Sequence, residues 1–526
     1  MTDTNVHATC TVGEIFRMAI ARYPDREALV CRGRRYSYRA MGEEISKFTQ
    51  ALAARGVGRG DAVAMLTANR AEAVFVQAAL AHLGARLSWL HPLGSVADHQ
   101  FIIEDAEITT LIVDADGYAE KGIAVAQAAP DMRCLSFGPA GGADTEGAED
   151  LSALAAGFAP APLTDLGDPD DIAYILYTGG TTGRPKGVVH RHTSFVSSYL
   201  IALHGWDWPA EARTLAATPI SHAAGALIPP TFLLGGTVHL LAGFNPEEYL
   251  ATIAREKITV GFLVPTMIYV LLDHPALAQT DVSSLQTMLY GAAPMSPTRL
   301  KEAMARFGPV FTQAYGQTEV TAMGCSLRQS DHDPDDPEPL ASCGRPMPGN
   351  LVRILDEDLN EVPRGEVGEI CFRSPNTMVE YWKRPDETAA TLRGGWLHTG
   401  DMARMDARGF IYIVDRSKDM IVTGGFNVFP REVEDVLTAH PAVAMAAVIG
   451  VPDPKWGEAV MGIVVLRSDA TADEAELIAH VKQAKGSVQT PKSIVFAEEL
   501  PVTGLGKPDK KALRAQYWKD QDRQVG

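Results

Sequence analysis

Cysteine is scarce in this chain, and what there is follows no pattern. Cys10, Cys31, Cys134, Cys325, Cys343 and Cys371 show no CxxC spacing. That excludes a disulfide scaffold or a cysteine zinc framework and leaves reduced, mostly buried thiols. Basic residues are also in short supply, 47 against 65 acidic ones, for a formal net charge of −18. Such a surface repels nucleic acid and anionic membrane, so neither is expected as a partner. An anionic substrate would then need a local basic site. No long apolar run is uninterrupted: GALIPPTFLLGGTVHLLAGF is broken by Pro229, Pro230 and several glycines, which argues against a transmembrane helix. The start, MTDTNVHATCTVGEIF, carries acid early and lacks the apolar core of a signal peptide, so the expected location is the cytoplasm. Short-period repeats and long low-complexity runs are absent too.

The rest of the composition is that of an ordinary globular protein, 46% hydrophobic and 21% charged, and 526 residues suffice for several domain-sized units. Helix and strand patterns alternate. TVGEIFRMAIARYP places Thr11 and Glu14 at capping-box spacing ahead of a helical apolar pattern. DAVAML, TTLIVDAD, LAATPIS, TVHLLA, ITVGFLVP and LQTMLYGAAP read as strands, and AEAVFVQAALAHLGA as a helix. This alternation predicts an α/β fold with largely parallel sheets. SDHDPDDPEPL (330–340) reads as an acidic surface loop. A boundary is expected near residue 416, dividing a large domain, 1–415, from a small α+β unit, 416–526.

The most informative stretch is YTGGTTGRPKGVVH, residues 177–190. Glycine lets backbone N–H groups approach a ligand closely, and the threonines and Lys186 add donors, so a polyphosphate is the natural guest. It is not a Walker A loop, because Lys186 follows Pro185 and precedes Gly187. The alternative is a plain turn between strand and helix. The loop follows DIAYILYT, a strand-like run, and apolar spacing resumes after it.

Four further stretches bear on chemistry. In AYGQTE (314–319), Tyr315 could stack on a base and Glu319 could hold Mg²⁺, a hard cation that prefers oxygen; otherwise it is a strand-end turn. WLHTGDMARMDARGF offers Asp401 as an acceptor for ribose hydroxyls. VDRSKDMIVTGGFNVFPREVE carries Arg416 at the expected boundary, and LPVTGLGKPDKKALR sets Lys507 between Gly506 and Pro508.

Together and in this order, these stretches resemble the adenylate-forming superfamily of acyl- and aryl-CoA synthetases, firefly luciferase and peptide-synthetase adenylation domains. The resemblance covers nearly the whole chain. It implies a large N-terminal domain of sheet–helix lobes with a small β-barrel-like part, and a small mobile C-terminal lid. It also implies that Thr178, Gly179, Gly180, Thr181, Thr182, Gly183 and Lys186 enclose the β- and γ-phosphates of ATP. Gly291, Ala292, Ala293 and Pro294 would sandwich adenine with Tyr315, followed in the same ATP-binding turn by Gly316 and Gln317. Thr318 would meet the α-phosphate, Glu319 would hold Mg²⁺, and Asp401 and Arg416 would bind the ribose. Lys507 would bridge the substrate carboxylate and the α-phosphate, Lys418 would be the hinge, and Gly424 and Gly425 would meet the pantetheine of CoA. Thr318, Glu319 and Lys507 are thus the implied catalytic set.

The chain departs from the family pattern at Gly179, where serine is usual, at Val488 and Gln489 in GSVQTPKS, and at Leu505–Gly506 ahead of Lys507. By the same resemblance the acyl pocket is lined by His222, Ala223, Gly225, Gly291, Ala292, Ala314, Thr321 and Met323, a small and largely apolar set without lysine or arginine. His222 reads as a wall residue or a satisfied core histidine rather than a catalyst. The expected reaction is ATP-dependent ligation of an apolar monocarboxylic acid (medium-chain fatty, arylalkanoic or cinnamic-type) to CoA through an acyl-adenylate. Adenylation for a separate carrier protein, a luciferase-like oxidation and a non-catalytic nucleotide-binding regulator are the rival readings. The expected partners are small molecules, with a homodimer left open.

Overall fold

The computed structural model describes residues 10–127, 129–138, 148–178, 185–416, 419–423, 426–453, 456–468, 470–502 and 508–518. Among these, the strands form four sheets. The largest has nine strands, with a parallel centre built from Thr237–Leu240, Arg213–Ala216, Val260–Leu263, Thr287–Gly291 and Phe311–Tyr315. The second has eight, with Arg86–Leu90, Ala62–Leu66, Thr110–Asp114 and Arg133–Phe137 parallel at its heart. Strands such as Ala62–Leu66 and Thr287–Gly291 are buried at every position, as expected where helices cover both faces of a parallel sheet.

A third sheet is a four-stranded antiparallel meander of Leu351–Leu355, Val367–Arg373, Leu397–Met405 and Ile411–Arg416, and stands for the barrel-like part. The C-terminal region has its own five-stranded sheet and its own core, including Ile421, Val433, Leu437, Val448, Val460 and Val464. Arg431 ties it to the rest, donating to the carbonyls of Ile413 at 3.1 Å and Ala341 at 3.2 Å. The architecture is the α/β one expected, a large N-terminal part and a smaller C-terminal one. No helix among the described residues is long and apolar enough to cross a membrane.

Local chemistry explains the elements and adjusts three expectations. Thr11 caps the helix Val12–Arg22, accepting from the Glu14 N–H at 3.1 Å. The reciprocal half of the box is not made that way; the Glu14 carboxylate turns to Arg17 instead, accepting from Nε at 2.7 Å. The apolar run after the glycine loop does not pass directly into a helix. Its first six residues form the strand Lys186–Arg191, antiparallel to Ile172–Thr178 with Thr178 opposite Lys186, and the helix His192–Gly205 follows. The strands on either side of the glycine loop are therefore paired as the two arms of a hairpin. Finally, the acidic segment 330–340 is exposed over most of its length yet anchored, because Arg408 reaches Asp336 and Glu338 and His332 and Leu340 are buried.

Candidate functional site

Strand ends build the site. Thr287–Gly291 and Phe311–Tyr315 are neighbouring parallel strands with Gly291 opposite Ala314, so the GAAP and AYGQTE stretches leave the sheet side by side at its carboxyl edge. Crevices at such edges are where open α/β sheets bind ligands. A Cβ at Gly291 would stand 2.2 Å from the Ala314 carbonyl oxygen, so only glycine fits there. Ala292 follows with φ +64° and is exposed, while Ala293 is half-buried and Pro294 exposed.

After Tyr315 the chain folds back on itself. Thr321 and Ala322 take φ of 51° and 61°, the Gly324 N–H reaches the Tyr315 carbonyl at 2.9 Å, and a Cβ at Gly316 would strike Ala322 at 2.5 Å. This turn aims two donors at one carboxylate. The Tyr315 hydroxyl donates to Asp401 Oδ2 at 2.7 Å, and Gln317 Nε2 donates to the same oxygen at 2.9 Å and to the Thr399 carbonyl at 2.8 Å. Burial first, and the Asp401 charge second, push the Tyr315 hydroxyl far above its ordinary pKa, so it stays a donor. Asp401 is 5% exposed, and in the strand register it lies opposite Arg416.

The next residues gather around Tyr381. His190 holds the Thr318 carbonyl from Nε2 at 2.8 Å. Glu319 is 9% exposed, and its Oε1 accepts from the Tyr381 hydroxyl at 2.7 Å. Lys186 lies 4.9 Å from the centre of the same Tyr381 ring and is ion-paired with Glu387. Tyr381 thus joins the AYGQTE carboxylate to the lysine of the glycine loop. Nothing in the one-dimensional pattern marks it, because it sits on a two-residue edge strand, Glu380–Tyr381, that pairs with Val188 and Val189. A divalent cation at Glu319 would meet one buried carboxylate with Oε1 already held. Mg²⁺ commonly takes one or two carboxylates and completes its shell with phosphate oxygens and water, so this donor set fits it.

The residues assigned to the acyl pocket divide into two groups. Ala223, Ala314 and Met323 pack into one apolar cluster with Ile201, Leu227, Phe262 and Leu289, and Gly291 faces Ala314 across the register. Met323 is 1% exposed. Thr321 is tied elsewhere, its hydroxyl donating to the Val320 carbonyl at 2.7 Å and accepting from Asn376 at 2.9 Å. Gly225 permits a close turn, since a Cβ there would stand 2.0 Å from the Ile220 carbonyl. His222 is bonded to the Ser221 hydroxyl at 2.8 Å and stacks edge to face with His91, centroids 4.6 Å apart. Desolvation lowers the His222 pKa to about 3, so its imidazole is neutral. His91 is a second residue that sequence reading did not single out.

Several expected site residues lie outside the described residues: Gly179, Gly180, Thr181, Thr182, Gly183, Lys418, Gly424, Gly425 and Lys507, together with the side chain of Arg416. Thr178 closes the first hairpin strand opposite Lys186, which places the arms of the loop beside Tyr381 and Glu387.

Residues 16–382 match the AMP-binding enzyme family, and residues 432–507 match the AMP-binding enzyme C-terminal domain. The chain is 48% identical over 525 residues, 98% of its own length and 91% of the relative's, to the medium/long-chain-fatty-acid–CoA ligase FadD8 of Mycobacterium tuberculosis. It is 40% identical over 386 residues, 71% of the chain and 78% of the relative, to a feruloyl-CoA synthase of an Amycolatopsis species. Among solved structures, the amide bond synthetase McbA of Marinactinospora thermotolerans superimposes with a TM-score of 0.88 at 34% identity, covering 96% of this chain and 99% of that one.

Proposed function

This chain belongs to the AMP-binding enzyme family and is an acid–thiol ligase, and from that premise we propose that it converts an apolar monocarboxylic acid to its acyl-adenylate and then to the CoA thioester. The observation that carries the reading is convergence. Asp401, Tyr315 and Gln317 meet at one end of the site, and Glu319, Tyr381 and Lys186 meet at the other. A buried acceptor for ribose, and a carboxylate and a lysine gathered on one tyrosine for a metal-bound polyphosphate, are what an adenylating site requires.

In this reading the substrate carboxylate attacks the α-phosphorus of ATP and pyrophosphate leaves into the glycine loop. Both reactants are anions, so positioning and charge neutralisation carry the catalysis and no general base is needed. Asp401 accepts from the ribose, with Arg416 opposite it; Tyr315 and the GAAP turn enclose adenine; Lys186 and Thr178–Gly183 hold the departing phosphates. Glu319 would hold Mg²⁺, which supplies charge neutralisation on the phosphate oxygens. Lys507 bridges the carboxylate and the α-phosphate. The lid, residues 416–526, then turns about Lys418 and withdraws Lys507. Gly424–Gly425 line the path of the CoA thiol, which attacks the acyl carbonyl and releases AMP. Gating of this kind separates two half-reactions on one site. Lys507→Ala should abolish most adenylation while sparing thioester formation from supplied acyl-adenylate; equal loss of both steps would contradict its role.

The acid is inferred from the wall. Ala223, Ala314 and Gly291 are small, Met323 and its cluster are apolar, and the assigned residues include no cation for a second carboxylate. A fatty or cinnamic-type acid suits such a wall, in keeping with the fatty-acid–CoA ligase and the feruloyl-CoA synthase among its relatives. ATP and CoA as co-substrates accord with a cytoplasmic location. A second reading concerns the acceptor: transfer to the thiol of a carrier protein in place of CoA.

The test is acid-dependent AMP formation from ATP and Mg²⁺, with and without CoA, across acetate, octanoate, palmitate, benzoate, 4-coumarate and phenylacetate. AMP and acyl-CoA formed together with octanoate, palmitate or 4-coumarate support the proposal. Pyrophosphate exchange indifferent to CoA transfers the acyl group to another acceptor. Faster turnover of a dicarboxylate than of its monocarboxylate analogue would overturn the substrate assignment.

A further inference from the structure

We propose that Glu369, together with His398, is a positioning residue for the ribose end of the ATP site, holding the turn that presents Asp401. This inference rests on the reading of Asp401 as the ribose acceptor.

The fold supplies the reason. In the antiparallel pairing of Val367–Arg373 with Leu397–Met405, Glu369 lies opposite Met402 and Cys371 opposite His398. Three residues, Thr399 to Asp401, therefore face the single residue Ile370. This is a bulge, and bulges beside active sites re-aim side chains at the cost of ladder hydrogen bonds. Gly400 at its centre has φ +71°, a conformation that suits glycine. Side chains take up polar groups that the bulge frees. The Thr399 hydroxyl donates to the Ile370 carbonyl at 2.7 Å and accepts from the Asp401 N–H at 3.1 Å. The Gly400 N–H donates to Glu369 Oε1 at 2.7 Å, so a carboxylate replaces the missing ladder acceptor.

The other oxygen of Glu369 is fixed as well. Oε2 stands 2.6 Å from His398 Nδ1 and 3.3 Å from Arg393 Nη2. Since a carboxylate only accepts, the proton lies on His398 Nδ1. Both His398 and Cys371 are buried, and the Cys371 sulfur is 3.3 Å from the same nitrogen. Burial, and secondarily the Glu369 charge, push that thiol up to about 12, so it stays protonated and does not compete for the imidazole proton. Glu369, Cys371 and His398 offer donor atoms within 4.8 Å of one another, the arrangement of a metal centre. The 2.6 Å separation is instead a hydrogen-bond length, whereas two ligands on a tetrahedral zinc stand about 3.3 Å apart. The chain of contacts thus runs from His398 through Glu369 to the Gly400 N–H, and from that turn to the carboxylate that Tyr315 and Gln317 grip from the far side.

The readout is nucleotide selectivity. Steady-state kcat and KM are measured with ATP and with 2′,3′-dideoxy-ATP, whose ribose offers Asp401 nothing. Glu369→Ala and His398→Leu are expected to raise KM for ATP about tenfold with kcat within about threefold, and to shrink the preference for ATP over the dideoxy analogue about tenfold, the equivalent of one hydrogen bond to a charged group. His398→Asn, whose amide N–H can stand in for Nδ1–H, should keep both near the wild type. Glu369→Gln keeps an oxygen for Gly400 and should fall between; it also serves if the alanine variant fails to fold. Asp401→Ala, which leaves no acceptor, is the control. Collapse of the preference in Asp401→Ala but not in the Glu369 or His398→Leu variants overturns the positioning role while leaving the ribose reading intact. A preference unchanged in Asp401→Ala itself overturns both.

Discussion

Asp401 and Lys186 carry opposite charges in the proposed ATP site and are held in opposite ways. Asp401 is 5% exposed, sits in a bulge, and has one oxygen already gripped by Tyr315 and Gln317. Lys186 has a side chain 37% exposed and is parked on Glu387, itself 39% exposed. Ion pairs so open to water contribute about 0–1 kcal/mol. Hydrogen bonds to a buried charge contribute more, about 1.5–3 kcal/mol each. The acceptor end is therefore the more firmly held and the cation end provisional: on the proposed function, an incoming phosphate need only displace a weak partner. Tyr381 stands between the regimes, its hydroxyl on Glu319 and its ring against Lys186.

Four experiments would break or sharpen that contrast. The largest effect is expected for Glu319→Gln, which keeps the shape of the buried side chain and removes its charge. Loss of kcat/KM for adenylation should be on the order of 100-fold, steepest at low Mg²⁺. A loss under threefold would remove Glu319 from the metal role. Tyr381→Phe retains the ring under Lys186 and deletes only the bond to Glu319; about a tenfold drop in kcat/KM would assign the tyrosine to the rigid side. No change would mean that Glu319 needs no support.

Acid should loosen the turn at Thr318, beside Glu319. His190 is buried, donates from Nε2 to the Thr318 carbonyl, and desolvation lowers its pKa to about 4 against an ordinary 6.5. The folded state therefore binds this proton less readily than the unfolded chain. The stability it lends is complete above pH 6.5 and is lost as pH falls towards 4, at roughly 1.4 kcal/mol per unit. Chemical-denaturation curves of wild type and His190→Asn across that window should differ in slope by this amount; parallel slopes would contradict it. The smallest effect is predicted for Glu387→Gln. With Lys186 released, KM for ATP should fall by up to about threefold. A rise would show that Glu387 positions the lysine rather than competing for it.

Much of the scaffold was legible in the sequence because its signals are local. The short apolar-rich runs of Ala62–Leu66 and Thr287–Gly291 read as interior strands, and Thr11 announces the helix it caps. Where a side chain has more than one suitor, local reading falters. Glu14 has the spacing to bond back to the cap and prefers Arg17, three residues on. The run after the glycine loop is apolar enough for helix or strand, and pairing with Ile172–Thr178 decided for a strand.

The same division runs through the site. The motif order, the acidic net charge that makes a local cationic loop necessary, and the glycines that let backbone approach a ligand are properties of the chain read end to end, and they suffice to name the class of reaction. Sequence did not contain the distances that make residues work together. Glu319 meets Tyr381 across 62 positions, Tyr315 meets Asp401 across 86, and Glu369 meets Gly400 across 31. Contacts of that span leave no periodicity and no spacing to read, since they exist only once parallel strands end together at one edge and a meander bulges beside them. Covalent order determined which groups this protein carries, and tertiary structure alone decided which of them are held rigid, which are merely paired, and which residue holds another in place.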